Sequence, residues 1–119
     1  MDKRSLGQFG EEQAARYLRR RFYTILERNY RCRFGEIDLI AKRAGVLAFV
    51  EVKLRRDDQH GEAREFVTAR KQQRVMAAAQ LWLSQHETTL QPRFDVIEVY
   101  APQGEAGPVK INHIENAFQ

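Results

Sequence analysis

Residues 46–50, Val-Leu-Ala-Phe-Val, are apolar at every position and run directly into Glu51-Val52-Lys53-Leu54. A strand with one wet face alternates apolar and polar side chains, whereas an uninterrupted apolar run belongs to a strand covered on both faces. The chain must therefore place a layer on each side of this strand. With 119 residues it has material for one such core, and a single domain over 1–119 is expected. Residues 35–41, Gly-Glu-Ile-Asp-Leu-Ile-Ala, give a second strand signal, and the Ala44-Gly45 break between the two reads as the turn of an antiparallel hairpin.

Two amphipathic stretches can supply the layers. Leu6, Phe9, Ala14, Tyr17 and Leu18 recur near helical spacing and predict a helix over 5–21 with Ser5 as its cap. Val75, Ala78, Ala79, Trp82 and Leu83 do the same over 68–85. Residues 23–32 read as an edge or near-edge strand, 55–65 as a polar loop, 93–100 as an alternating strand after Pro92, and 109–114 as a short last strand. The resulting order α, β, β, β, α, β, β is an α/β mixed sheet covered by helices. Trp82 and the phenylalanines are expected in the core. Cys32, the only cysteine, reads as a buried or half-buried strand residue and leaves neither an intrachain disulfide nor a cysteine-built zinc site.

Charge is unevenly spread. The net +4 hides seven arginines between residues 16 and 33 against Glu27 alone, while residues 75–119 carry two bases against five acids. Clustered arginines suit a polyanionic partner, since each neutralised phosphate releases counterions, although a solvated helix face has the same composition. No window reaches the apolar length of a membrane span, and Met1-Asp2-Lys3-Arg4 is followed by no apolar signal core, so no membrane and a cytoplasmic location are expected.

The hairpin carries the chemistry. A register that sets Arg43 opposite Val46 also sets Asp38 opposite Glu51 and Glu36 opposite Lys53, with all four charges on one face. Facing carboxylates repel, and burying them costs several kcal/mol in order of magnitude unless a cation compensates. Mg²⁺ or Mn²⁺, which favour hard oxygen ligands, fit between Asp38 and Glu51, with Lys53 placed to orient water or to stabilise charge on a phosphate. Salt bridges from Lys53 to Glu36 or Glu51 on an ordinary sheet are the plainer alternative. His60, His86 and His113 are scattered and make poor ligands. The basic start of the second helix, Lys71, Gln73 and Arg74, opposes the helix dipole unless something anionic lies there.

The segments Gly7-Gln-Phe-Gly10-Glu11-Glu12-Gln-Ala14, Arg28-Asn29-Tyr30-Arg31, Gly35-Glu36-Ile-Asp38-Leu-Ile-Ala, Phe49-Val-Glu51-Val-Lys53-Leu-Arg55, Lys71-Gln-Gln-Arg74 and Arg93-Phe94-Asp95-Val96 resemble the YraN-type family over nearly the whole chain. That family is grouped with Holliday-junction-resolvase-like PD-(D/E)XK nucleases. The resemblance implies a restriction-endonuclease-like mixed β-sheet flanked by α-helices, with Asp38, Glu51 and Lys53 at the motif's catalytic positions. Ile37 stands where the motif usually has proline. Glu11 resembles the extra helix glutamate of archaeal resolvases; Glu12 competes for that role, but adjacent helix residues point about 100° apart and only one can face the sheet.

The function expected from these residues is metal-dependent hydrolysis of structured or branched DNA, with Arg19, Arg20, Arg31, Arg55, Lys71 and Arg74 as nucleic-acid contacts. A non-catalytic nucleic-acid-binding module of the same fold is the alternative. A homodimer is expected because two strands of a junction need two cuts.

Overall fold

The computed structural model describes residues 3–56 and 67–119, with side chains from Leu6 onward. The elements are α1 (Lys3–Arg20), β1 (Thr24–Cys32), β2 (Gly35–Arg43), β3 (Val46–Arg55), α2 (Ala69–Ser84), β4 (Gln91–Tyr100) and β5 (Lys110–Phe118). The strands form one five-stranded sheet in chain order, β1-β2-β3-β4-β5. Only β3 and β4 run parallel, joined through α2, so the sheet is mixed and β3 is its middle strand. Its two layers are compatible with a restriction-endonuclease-like fold.

The unbroken apolar run of β3 divides between two cores. Ala48 and Val50 meet Ala14, Ala15 and Leu18 of α1, together with Leu39, Ala41, Ile97 and Val99. Leu47 and Phe49 meet Val75, Ala78, Ala79 and Trp82 of α2, together with Ile37, Ile40 and Val96. A side chain such as Phe49, fully removed from water, contributes about 1.5–3 kcal/mol.

Several expectations need correction. The first helix already includes Lys3, so Ser5 lies within its first turn and is not its cap. Tyr17 is only half-buried, and Ala15 is fully buried in the α1 stripe, because small side chains let the helix lie close to the sheet. Strand β3 continues through Arg55; the rest of the expected polar loop, and His60, fall outside the described residues apart from exposed Arg56. Strand β5 extends to Phe118, past the polar Glu115-Asn116 pair that disguised it. A register shift between Phe94 and Val96 and a φ of 53° at Asn116 absorb those residues, and the Phe118 ring stacks on Phe94 at 5.3 Å.

Not every phenylalanine is core. Phe22 is 86% and Phe34 40% exposed, each in a tight turn that projects the side chain beyond the sheet. Among the described residues no helix is long and apolar enough to cross a membrane.

Candidate active site

The hairpin pairs in the expected register from Arg43↔Val46 to Leu39↔Val50, and the ladder stops there. One step further the strands part, and the Asp38 Oδ2 atom accepts the Val52 amide hydrogen at 2.8 Å. Alternation in β2 also breaks at this point. Ile37 and Ile40 both belong to the α2-side core, while Leu39 belongs to the α1 side, a pattern impossible for an evenly pleated strand. The neighbouring strand kinks with it: Asn29, which falls between the pairs Arg28↔Leu39 and Tyr30↔Ile37, has φ 52°. Asp38 thus projects into a gap in the sheet.

This kink corrects the expected face of four charges. Glu36 is paired with Arg31 of β1, Nε to Oε2 3.2 Å, and does not stand opposite Lys53. The residue in register with Lys53 is Glu98 of the parallel strand β4. Glu51 and Lys53 do share the α2 face, as the period of two requires.

Glu51 is the centre of the site. It is 5% exposed, with Oε1 3.8 Å from Lys53 Nζ and 3.7 Å from Lys71 Nζ. Its Oε2 atom is buried with no donor group in reach, and the Asp38 carboxyl is close enough to share a proton with Glu51. Burial foremost, and then the negative charge of Asp38, push the Glu51 carboxyl up to about 7 against the pull of the two lysines. Burial also raises Asp38, opposed by the Val52 N–H and by Lys71. Lys71 comes from the first turn of α2, where Thr68 Oγ1 caps the helix by accepting the Lys71 N–H at 3.1 Å. Glu51 is the anion that makes a basic first turn tolerable against the helix dipole.

From the other layer, α1 lies on β3 at buried Gly10, where an added Cβ would touch Leu54 and Val52 at 3.5 and 3.8 Å. The next residue, Glu11, is raised chiefly by burial and further by the charges of Asp38 and Glu36, with an Asn29 hydrogen bond opposing. Glu12 turns away: Arg28 lies 2.7 Å and Arg16 3.3 Å from its oxygens, and the Arg28 hydrogen bond leads in lowering its pKa. Of the two helix glutamates, Glu11 is the one that feels the Asp38 charge.

The donor set suits a hard divalent cation. Asp38 and Glu51 lie together, one oxygen of Glu51 has no donor, and both acids are held above their ordinary range chiefly by burial. Among the described residues no group of three or more Asp, Glu, His or Cys is arranged to hold a metal. Two protein carboxylates are what Mg²⁺ commonly takes where substrate phosphates and water complete its shell.

The model of the uncharacterised protein family UPF0102 matches residues 10–99. The chain belongs to that family. It is similar over nearly its whole length to UPF0102 proteins of Nocardia farcinica, 48% identical over 98% of this chain and 91% of the relative, and of Caldanaerobacter subterraneus, 44% identical over 99% and 98%. A UPF0102 protein of Caldicellulosiruptor saccharolyticus is 41% identical over 99% of this chain and 100% of its own. The UPF0102 match includes Glu11, Asp38, Glu51, Lys53 and Lys71 and stops before β5.

The six basic residues expected to meet nucleic acid separate into groups. Arg31, Lys71 and Arg74 line one cleft of about 190 Å³ with Cys32, Gly35 and Glu36. Arg55 turns instead toward Glu98, Nε to Oε2 3.5 Å. Arg19 lies 4.0 Å from Glu12, and Arg20 is exposed at the end of α1. His86 stacks on Trp82 at 3.9 Å.

Sequence reasoning missed two buried carboxylates. Glu98, 1% exposed, accepts from Asn112 Nδ2 at 2.9 Å beside Arg55. Asp95 is fully buried, gripped by Arg93 Nε and Nη2 at 2.8 Å each, His113 Nε2 at 2.8 Å and the Asn116 N–H at 3.0 Å. These bonds, led by His113 and Arg93, lower its pKa despite burial. The clue lay in alternation: Asp95 falls in step with Ile97 and Val99, and Glu98 with Val96, on a strand covered on both faces.

Proposed function

We propose that the chain is a Mg²⁺- or Mn²⁺-dependent endonuclease that hydrolyses phosphodiester bonds in structured or branched DNA. The observation that carries this reading is the buried Glu51 carboxyl, one oxygen without a donor, beside Asp38 and within 4 Å of two lysines. Asp38 and Glu51 would hold the cation, which when bound supplies Lewis acidity toward a phosphate oxygen and lowers the pKa of water. Lys53, already 3.8 Å from Glu51, would orient the attacking water and offset charge developing on the phosphate. Lys71, Arg74 and Arg31 would seat the phosphates flanking the scissile bond, since backbone contacts fix register and leave base identity unread. Glu11 would add negative charge from the α1 side.

The test is incubation with a synthetic four-way junction, a flap and a linear duplex in Mg²⁺, Mn²⁺ or EDTA. Metal-dependent cutting that Asp38→Asn and Glu51→Gln abolish is expected. A preparation that binds Mn²⁺ and cuts none of them sinks the proposal.

A second reading, a nucleic-acid-binding module that does not cut, is favoured by the lack, among the described residues, of any group of three or more Asp, Glu, His or Cys arranged to hold a metal. It requires strongly salt-dependent DNA binding that survives Asp38→Ala. Cutting of both strands at a junction also implies a two-fold dimer, which light scattering with and without the junction would detect.

A further inference from the structure

Phe34 sits in the tight turn between β1 and β2 and leaves 40% of its surface in water. Its support is firm. A Cβ on the adjacent Gly35 would lie 2.9 Å from the Arg74 carbonyl oxygen, so the turn backbone rests directly on α2 with no room for a side chain. Arg74 Nε also reaches the Phe34 carbonyl oxygen at 3.5 Å. The Arg33 guanidinium lies over one face of the Phe34 ring, 4.9 Å from its centre, so the opposite face is the one left for a base. Behind the turn opens the cleft of Arg31, Lys71 and Arg74, in which Glu36 is the sole acid, and Lys71 spans from this cleft to Glu51.

An exposed ring on a fixed turn, with cations on the side leading to the acid pair, matches single-strand recognition. There a base stacks on an aromatic face while neighbouring phosphates pair with Arg and Lys. A paired base inside a duplex has both faces covered by its neighbours and offers nothing to such a ring. We infer that Phe34 is a stacking platform for an unpaired nucleobase at the rim of the Arg31, Lys71 and Arg74 cleft, so that this site takes nucleic acid with a single-stranded stretch or unpaired base beside the phosphate it receives. The inference rests on the nuclease reading only for what happens to that phosphate.

The experiment measures binding of the full chain in EDTA by fluorescence anisotropy. One probe is a labelled single-stranded oligodeoxynucleotide, and the other is the same sequence in a duplex whose two ends are closed by base-free polyethylene glycol linkers, so that it holds no unpaired base. Phe34→Ala is expected to weaken single-strand binding by about 5- to 150-fold, the range for losing one base–aromatic stack. It should leave the closed duplex unchanged, and Phe34→Trp should restore the single-strand affinity. Arg74→Ala should weaken both probes alike, as a phosphate contact does. Equal losses on both probes with Phe34→Ala, or no loss on either, overturn the platform. Because EDTA excludes metal-dependent cutting, the two readings fail separately. A chain with this Phe34 pattern that never cuts loses only the nuclease proposal, and a chain that cuts but binds single strands equally well without Phe34 loses only the platform.

Discussion

The Asp38 carboxylate accepts the Val52 amide hydrogen at 2.8 Å, so a side chain fills the gap in the β2–β3 ladder where the strands part. Asp38→Asn keeps an acceptor oxygen and removes a charge from beside Glu51, whereas Asp38→Ala strands the Val52 N–H. The expected outcome in EDTA at pH 8 is that Asn is neutral or stabilising and Ala costs about 1–3 kcal/mol. Urea titration of the two variants checks the order, and equal destabilisation by both would point to an ordinary structural ion pair at Asp38.

Stability should fall as pH rises from about 5 to 7. Glu51 has a folded-state value of about 7 against an ordinary 4.5, so within that window the folded chain keeps a proton that the unfolded chain has lost. Above 7 both are ionised and the slope vanishes. The full shift corresponds to about 3 kcal/mol as an order of magnitude, with Asp38 and Glu11 acting in the same direction. Asp95, whose pKa is lowered, loses its contribution only below the ordinary carboxylate range. Denaturation midpoints at pH 5, 6, 7 and 8, wild type against Glu51→Gln, test this, and Gln should flatten the curve.

A divalent cation should reverse that penalty. With free Mn²⁺ at about 100 times its Kd, stabilisation of about 2.7 kcal/mol is expected at pH 8. The effect should shrink at pH 6, where Glu51 holds its proton, and disappear in Glu51→Gln. Thermal unfolding with and without Mn²⁺ reads it directly; an equal rise in Glu51→Gln places the ion elsewhere.

The Asp95 network should matter for folding and leave the acid pair alone. Asp95→Ala takes their shared acceptor from half-buried Arg93 and His113, which keep Glu115 and Tyr23, and Tyr17, respectively, and should cost about 3 kcal/mol. The pH 5–7 slope assigned to Glu51 should persist in that variant as far as it remains folded, and in the milder Asp95→Asn.

The sheet, the two helices and the hairpin register were legible because they follow from periodicity: the apolar run of β3 demands two layers, and Val75, Ala78, Ala79 and Trp82 mark one face of a helix. The kink at Asp38 was not legible, since a left-handed Asn29 and the face switch between Ile37 and Leu39 are tertiary facts that no alternation rule reports. That is why Glu36 was placed opposite Lys53 and Glu98 was overlooked. Lys71 was recognisable as a misplaced helix-start cation, but which anion answered it depended on how α2 docks. Phe34 and Phe22 were misplaced because composition treats every phenylalanine as core, while a two-residue turn leaves no core to reach.

Because the strands are neighbours in chain order, the β2–β3 hairpin can form from local contacts, ahead of the longer-range closure that brings α2 and β4 onto β3. The acid pair is then assembled before Lys71 arrives to neutralise it. Docking of α2 is consequently an electrostatic step as well as a hydrophobic one, and the speed at which the molecule completes itself is tied to the ionisation of the Glu51 carboxyl.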